Sequence, residues 1–103
     1  MYGAALRIVG IEWQQEVQVT KDLEMYTKDF CIYCHKAKEV IKNNPDMGFH
    51  VTEYNIDTQP AYMDTLKERF PDVKTVPQIW IGGKHIGGYE DLVDYIDETT
   101  SLG

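Results

Sequence analysis

Two cysteines stand three residues apart in Cys31-Ile32-Tyr33-Cys34, and the chain has no others. Residues at this spacing at the start of a helix share one face. Helical side chains lean toward the amino terminus, so the Cys34 sulfur points back at Cys31. Cys31 would then sit among the unpaired N–H groups of the helix start, which carry about half a unit of positive charge. That favours the thiolate and lowers its pKa from about 8.5 into a range of roughly 3.5–7.5. Cys34, one turn further in, is expected to be more buried and to remain a thiol until Cys31 has formed a mixed disulfide. It would then attack that bond and release the reduced partner. Lys28 adds positive charge nearby, and Asp29 opposes it.

Two other chemistries use the same residues. His35 completes a Cys-x-x-Cys-His string, the pattern of covalent haem attachment. Attachment of that kind goes with export, and the amino-terminal stretch does not read as a secretory signal. Arg7 interrupts its apolar run, and Glu12, Gln14, Gln15 and Glu16 follow. His35 is therefore expected to face solvent. For zinc, the two cysteines and one histidine supply only three ligands, while His50 and His85 lack ligand spacing and are expected at strand ends. No metal is expected.

The elements that must position the pair follow from periodicity. Leu23–Tyr26 is a short apolar-rich strand, and Thr27–Phe30 a turn. Tyr33, Ala37, Val40 and Ile41 fall on one face of a helix that Asn43-Asn44-Pro45 stops. Phe49–Ile56 reads as a second strand. Pro60 suits the first turn of a helix whose Tyr62, Leu66 and Phe70 share a face, and Pro71 ends it. Gln78–Ile81 and Lys84–Ile86 flank Gly82-Gly83, which supply the positive φ angles of a tight hairpin. Tyr89, Leu92, Val93 and Ile96 mark a closing amphipathic helix. Strands joined through a helix are parallel with a right-handed crossover, and the glycine hairpin is antiparallel. The predicted fold class is α/β, a mixed four-stranded sheet flanked by helices. Residues 1–21 are an amino-terminal extension whose period-two pattern suggests an extra strand or hairpin, or a lengthened first strand. Residues 22–103 form the domain itself.

The whole chain bounds the reading. Its 103 residues make one small domain, which buries about 65% of its unfolded surface and needs no disulfide staples. Hydrophobic content of 43% argues against disorder. Ten basic against seventeen acidic residues leave −7, a balance that repels nucleic-acid backbones. No apolar run approaches the ~20 residues of a membrane span. The expectation is a cytoplasmic monomer with no nucleic-acid or membrane partner, in a reducing compartment where paired cysteines are reactive more often than structural.

Two further segments carry chemistry. Thr75-Val76-Pro77 precedes the hairpin, where a proline marks a strand start or an edge. With a cis Val76–Pro77 bond, the Val76 backbone would face outward beside the cysteines and pair with an extended thiol peptide. Gly87-Gly88 permits close backbone approach, and the helix after it offers N–H donors to a carboxylate. Glu90 and Asp91 there also complement the helix dipole.

Taken together, Thr27-Lys28-x-x-Cys31-x-Tyr33-Cys34, Thr75-Val76-Pro77-Gln78-Ile79 and Gly87-Gly88-x-x-Asp91-Leu92 resemble a dithiol glutaredoxin over the chain from Asp22 onward. Thioredoxin is less similar, because the tryptophan it carries before its first cysteine is Phe30 here. The resemblance implies a thioredoxin-like fold and glutathione-dependent exchange, with glutathione as co-substrate. Its targets would be protein disulfides, including that of ribonucleotide reductase, and glutathione mixed disulfides. It makes Cys31 the nucleophile and Cys34 the resolving thiol. It also implies that Lys28, Tyr33, Thr75, Val76, a cis Pro77, Gly88 and Asp91 meet glutathione.

The chain departs from the family pattern in places. Ile32 stands where proline is commonest, and some glutaredoxins lacking that proline hold an iron–sulfur cluster between two subunits through the first cysteine and glutathione. This is the alternative reading. Glu90 replaces an aspartate or small hydroxyl residue. Lys67 and Arg69 are the nearest candidates for a second-helix contact to glutathione, and neither is assigned.

Overall fold

The computed structural model describes residues 21–102, so the expected extra strand of the extension lies outside the described residues. Strand β1 (Lys21–Thr27) leads through a loop into helix α1 (Ile32–Lys42). Asn44 donates from its amide to the Val40 carbonyl at 2.7 Å, and Pro45, which cannot continue the helix, opens a short 3-10 turn over Pro45–Met47. Strand β2 (Phe49–Asn55) returns, followed by α2 (Ala61–Arg69), β3 (Gln78–Ile81), β4 (Lys84–Gly87) and α3 (Tyr89–Leu102).

The sheet order is β2-β1-β3-β4. β1 and β2 are parallel, from Lys21 beside Phe49 to Thr27 beside Asn55. β1 and β3 are antiparallel, with Leu23 opposite Ile81 and Tyr26 opposite Gln78. β3 and β4 are antiparallel around Gly82 and Gly83, whose φ angles of 60° and 82° are those that the two-residue turn requires. The mixed four-stranded sheet expected from the sequence is therefore the observed one.

Alternation along the two central strands sorts the core onto two faces. Leu23, Met25, Ile79 and Ile81 pack against Ala37 of α1 and Leu92 and Ile96 of α3. Tyr26 and Trp80 turn to the other face and meet Leu66 of α2, with Tyr54, Tyr62 and Phe70 around them. Each fully buried aliphatic side chain contributes about 1.5–3 kcal/mol. The α2 face also holds an ion pair. Arg69 donates to Glu24 at 2.8 Å and to the Tyr26 hydroxyl at 3.2 Å, with its guanidinium 4.2 Å from the Trp80 ring centre. The Arg69 hydrogen bond holds the Glu24 carboxyl below its ordinary range, against the opposing effect of burial and with help from Tyr54. Among the described residues, no helix is long and apolar enough to cross a membrane.

Candidate active site

The loop between β1 and α1 is tied down by polar groups from the end of β2. The Asp29 N–H donates to the Asp57 carboxylate at 2.8 Å, and the Asn55 amide donates to Asp29 at 3.1 Å. The Asn55 side-chain oxygen Oδ1 in turn accepts from the N–H groups of Asp57 and Thr58. Phe30 follows with φ 52° and its ring fully exposed, a left-handed conformation that costs a side-chain-bearing residue about 1–2 kcal/mol. That turn delivers Cys31 to the N-cap of α1, where its sulfur accepts from the Cys34 N–H at 3.1 Å.

Cys31 and Cys34 are joined in a disulfide, with their Cα atoms 5.2 Å apart. Cys34 is 2% exposed, while Cys31 is half-buried, the asymmetry that the spacing predicts. Tyr33 departs from expectation. The apolar periodicity puts it on the buried face of α1, yet it is 54% exposed and Cys34 joins Ala37 in the interior instead. Tyr33 lies in the first turn, so its ring reaches across to Tyr89, with centroids 6.0 Å apart, and Lys36 sits 5.1 Å from its centre.

The disulfide lies between two concavities. On one side the Val76–Pro77 bond is cis, and the Val76 carbonyl oxygen is 3.7 Å from the Cys31 sulfur. From there a groove of about 540 Å3 runs along Tyr33, Thr75, Val76, Pro77, Gly88 and Asp91. Six of the seven residues expected to meet glutathione are thus brought together, from α1, the loop before β3 and the start of α3. The groove also contains Phe70, Gln78, His85, Gly87, Tyr89 and Glu90, most of which carry the sequence pattern of core, strand or helix start. Gln78 and Gly87 have usable signals, their places directly after Pro77 and within the Gly87-Gly88 pair. Asp91 also caps its own helix, accepting from the Gly88 N–H at 3.0 Å. Gly87 has φ 126°, and a Cβ there would strike the Asp91 carboxylate.

Lys28 lies elsewhere. It lines a second pocket of about 320 Å3 with Asp29, Phe30, Cys31, Cys34, His35, Lys38 and Asn55. His35 is exposed, as expected. His50 and His85 are each the second residue of a strand. Arg69 is engaged by Glu24 and Tyr26, and neither it nor Lys67 lines the groove.

A disulfide at a helix N-cap, beside a cis-proline loop in a mixed four-stranded α/β fold, restricts the choice of family, and the sequence comparison decides it. Residues 23–86 match the family model for glutaredoxin. The chain belongs to the glutaredoxin family. This glutaredoxin is 41% identical over 76 residues to glutaredoxin-1 of Rhizophagus irregularis, covering 72% of each chain. It is 39% identical over 71 residues to glutaredoxin 3 of Escherichia coli K12, covering 69% of this chain and 81% of that one. Among solved structures, reduced Escherichia coli glutaredoxin superposes with a TM-score of 0.66 at 25% identity, covering 78% of this chain and 98% of that one. A buckwheat glutaredoxin–glutathione complex superposes at 0.63 with 26% identity, covering 77% and 71%. The thioredoxin-like fold follows, and with it a thiol oxidoreductase.

Proposed function

We propose that this glutaredoxin is a glutathione-dependent oxidoreductase that reduces protein disulfides and glutathione mixed disulfides. The observation that carries this reading is the asymmetric pair. Cys31 is reachable at the helix N-cap beside the groove, and Cys34 is enclosed behind it. In the reduced protein the Cys34 N–H and the helix start favour the Cys31 thiolate. That thiolate attacks a disulfide sulfur, one partner thiol leaves, and a mixed disulfide remains on Cys31. Cys34 or a glutathione thiol then displaces the second partner.

The groove suits a peptide thiol such as glutathione. The Val76 backbone would pair with an extended strand, Tyr33, Thr75 and Pro77 would wall it, and Gly88 with the start of α3 would receive a carboxylate. Asp91 would accept from an ammonium group, and Lys28 would contribute positive charge from the far side of the cysteines. Glutathione bound in a relative's complex supports this assignment. A monomer in the reducing cytoplasm fits the same reading, because a dithiol reductant must be recharged there.

The test follows reduction of a glutathionylated peptide and of a protein disulfide, each with glutathione as the electron source. Both reactions are expected to need glutathione and Cys31. Reduction of either substrate at full rate without glutathione in the recharging step would overturn the proposal.

A further inference from the structure

We propose that the Lys38–Glu53 pair, on the pocket side of the disulfide, sets the protonation of Cys34 and through it the rate at which Cys34 releases a partner from Cys31. The inference rests on the exchange reading above and names a positioning pair for its second step.

The second step has a physical difficulty that the first lacks. Cys31 can reach its thiolate at a half-buried N-cap, whereas Cys34 is 2% exposed, and burial favours the neutral thiol. Cys34 nevertheless has to lose its proton to attack. The second pocket gives that thiol an outlet, since Cys34 and Lys38 line it together. Lys38 follows Cys34 by four residues on the same helix face and leans back toward it.

Its ammonium group does not hang free. Lys38 Nζ is 2.7 Å from Glu53 Oε2, and the same oxygen accepts from the hydroxyl of Thr27 at 2.6 Å. Thr27 is fully buried at the end of β1. A buried hydroxyl thus anchors the carboxylate, and the carboxylate fixes the ammonium beside the pocket. Burial raises the Glu53 pKa, but the hydrogen bonds from Lys38 and Thr27 outweigh it and hold the group ionised below its ordinary range.

Among the described residues, the other titratable groups near Cys34 come from the loop, α1 and α3. Lys28 and Asp29 reach the pocket from the loop, and His35 from α1. Glu90 and Asp91 of α3 lie along the groove, and Asp91 is turned to the Gly88 N–H. Asp29 is occupied by Asn55. Lys38, immobilised one turn from the thiol, is the cation placed to favour its ionised form.

Cys34 gives its proton to solvent through the pocket, and its electron pair forms the Cys34–Cys31 bond. The bond between Cys31 and the glutathione sulfur breaks, and the departing thiolate takes a proton from solvent. Starting from the reduced chain and oxidised glutathione, two protein thiols are oxidised and one glutathione disulfide is reduced to two thiols.

The experiment mixes the reduced full chain with oxidised glutathione between pH 5 and 9. Acid quenching and mass measurement follow formation of the Cys31 mixed disulfide and its subsequent release. With Lys38→Met, the pH midpoint of release is expected to rise by about 0.5–1 unit, so that release at pH 7 slows about 3- to 10-fold. Glu53→Gln keeps an acceptor for Thr27 and Lys38 but removes the charge that offsets the ammonium group. Its release midpoint is expected to fall, speeding release at pH 7 about 2- to 5-fold. A merely structural role would slow both variants without separating their midpoints. Midpoints that coincide with the unmodified chain, or that move in the same direction, overturn the inference. Failure of the unmodified chain to form either a mixed disulfide on Cys31 or the Cys31–Cys34 disulfide with oxidised glutathione overturns the exchange reading with it.

Discussion

The two sides of the Cys31–Cys34 disulfide are built from different materials. The groove side presents backbone, aromatic rings and two carboxylates: the Val76 carbonyl, Pro77, Gly88, the rings of Tyr33 and Tyr89, and Glu90 with Asp91. The pocket side presents two lysines, Lys28 and Lys38, beside Asp29 and His35, with Asn55 and Asp57 knotting the loop. In the function proposed, one side receives a partner, and the other holds the loop and governs what the buried sulfur can do. Two cysteines on one helical turn can therefore take different roles, because each role is set by what faces the sulfur.

The strongest way to break this contrast is to remove the sulfurs singly. Cys31→Ser should abolish all exchange, since no other thiol reaches a partner. Cys34→Ser should retain turnover of a glutathione mixed disulfide and lose direct reduction of a protein disulfide. The two assays run side by side check this, and equal loss in both would erase the distinction between the sulfurs.

A smaller effect is expected on the groove side from Gly87→Ala. The new Cβ meets the Asp91 carboxylate at φ 126°, so the Asp91 side chain must swing away and lose its bond from the Gly88 N–H. Denaturant unfolding should show a loss of about 1–3 kcal/mol, with weaker saturation by glutathione. On the loop side the sign reverses. Phe30 spends a left-handed conformation on a fully exposed ring, so Phe30→Gly should stabilise the fold by about 0.5–1 kcal/mol, once the greater chain entropy of glycine is subtracted. A loss of stability in the same titration would show that the ring has a packing role.

The smallest effect is confined to acid. Glu53 has its pKa lowered by Lys38 and Thr27, against burial, so it binds a proton less readily folded than unfolded. Its stabilising contribution is present above the ordinary glutamate pKa, about 4.3, and disappears as pH falls through its lower folded value. Thermal unfolding between pH 6 and 3 should accordingly fall less steeply for Glu53→Gln than for the unmodified chain.

Much of this site is legible in the amino-acid sequence. The cysteine spacing, the Val76-Pro77 step and the double glycine are local signals, and the structure brings all three to the disulfide and the groove beside it. Tyr33 escapes its pattern because helical periodicity says which residues share a face and not where the underlying sheet ends. Cys34 takes the inward position of that turn beside Ala37, so Tyr33, one residue round the helix, lies against Tyr89 and not in the interior. Phe70, Tyr89 and His85 give no warning of the groove, because their patterns are those of ordinary helix and strand residues.

Periodicity, turn glycines and proline stops determined the order and type of the described strands and α-helices, though not the 3-10 turn at Pro45–Met47, since those rules act between residues a few positions apart. Parallel and antiparallel pairing followed from the connections. Only the folded chain brought Glu53 on β2 to Lys38 on α1 and Thr27 on β1, or Asn55 to Asp29. These pairs are distant in sequence and depend on register, where a slip of one residue would turn each side chain to the opposite face of the sheet.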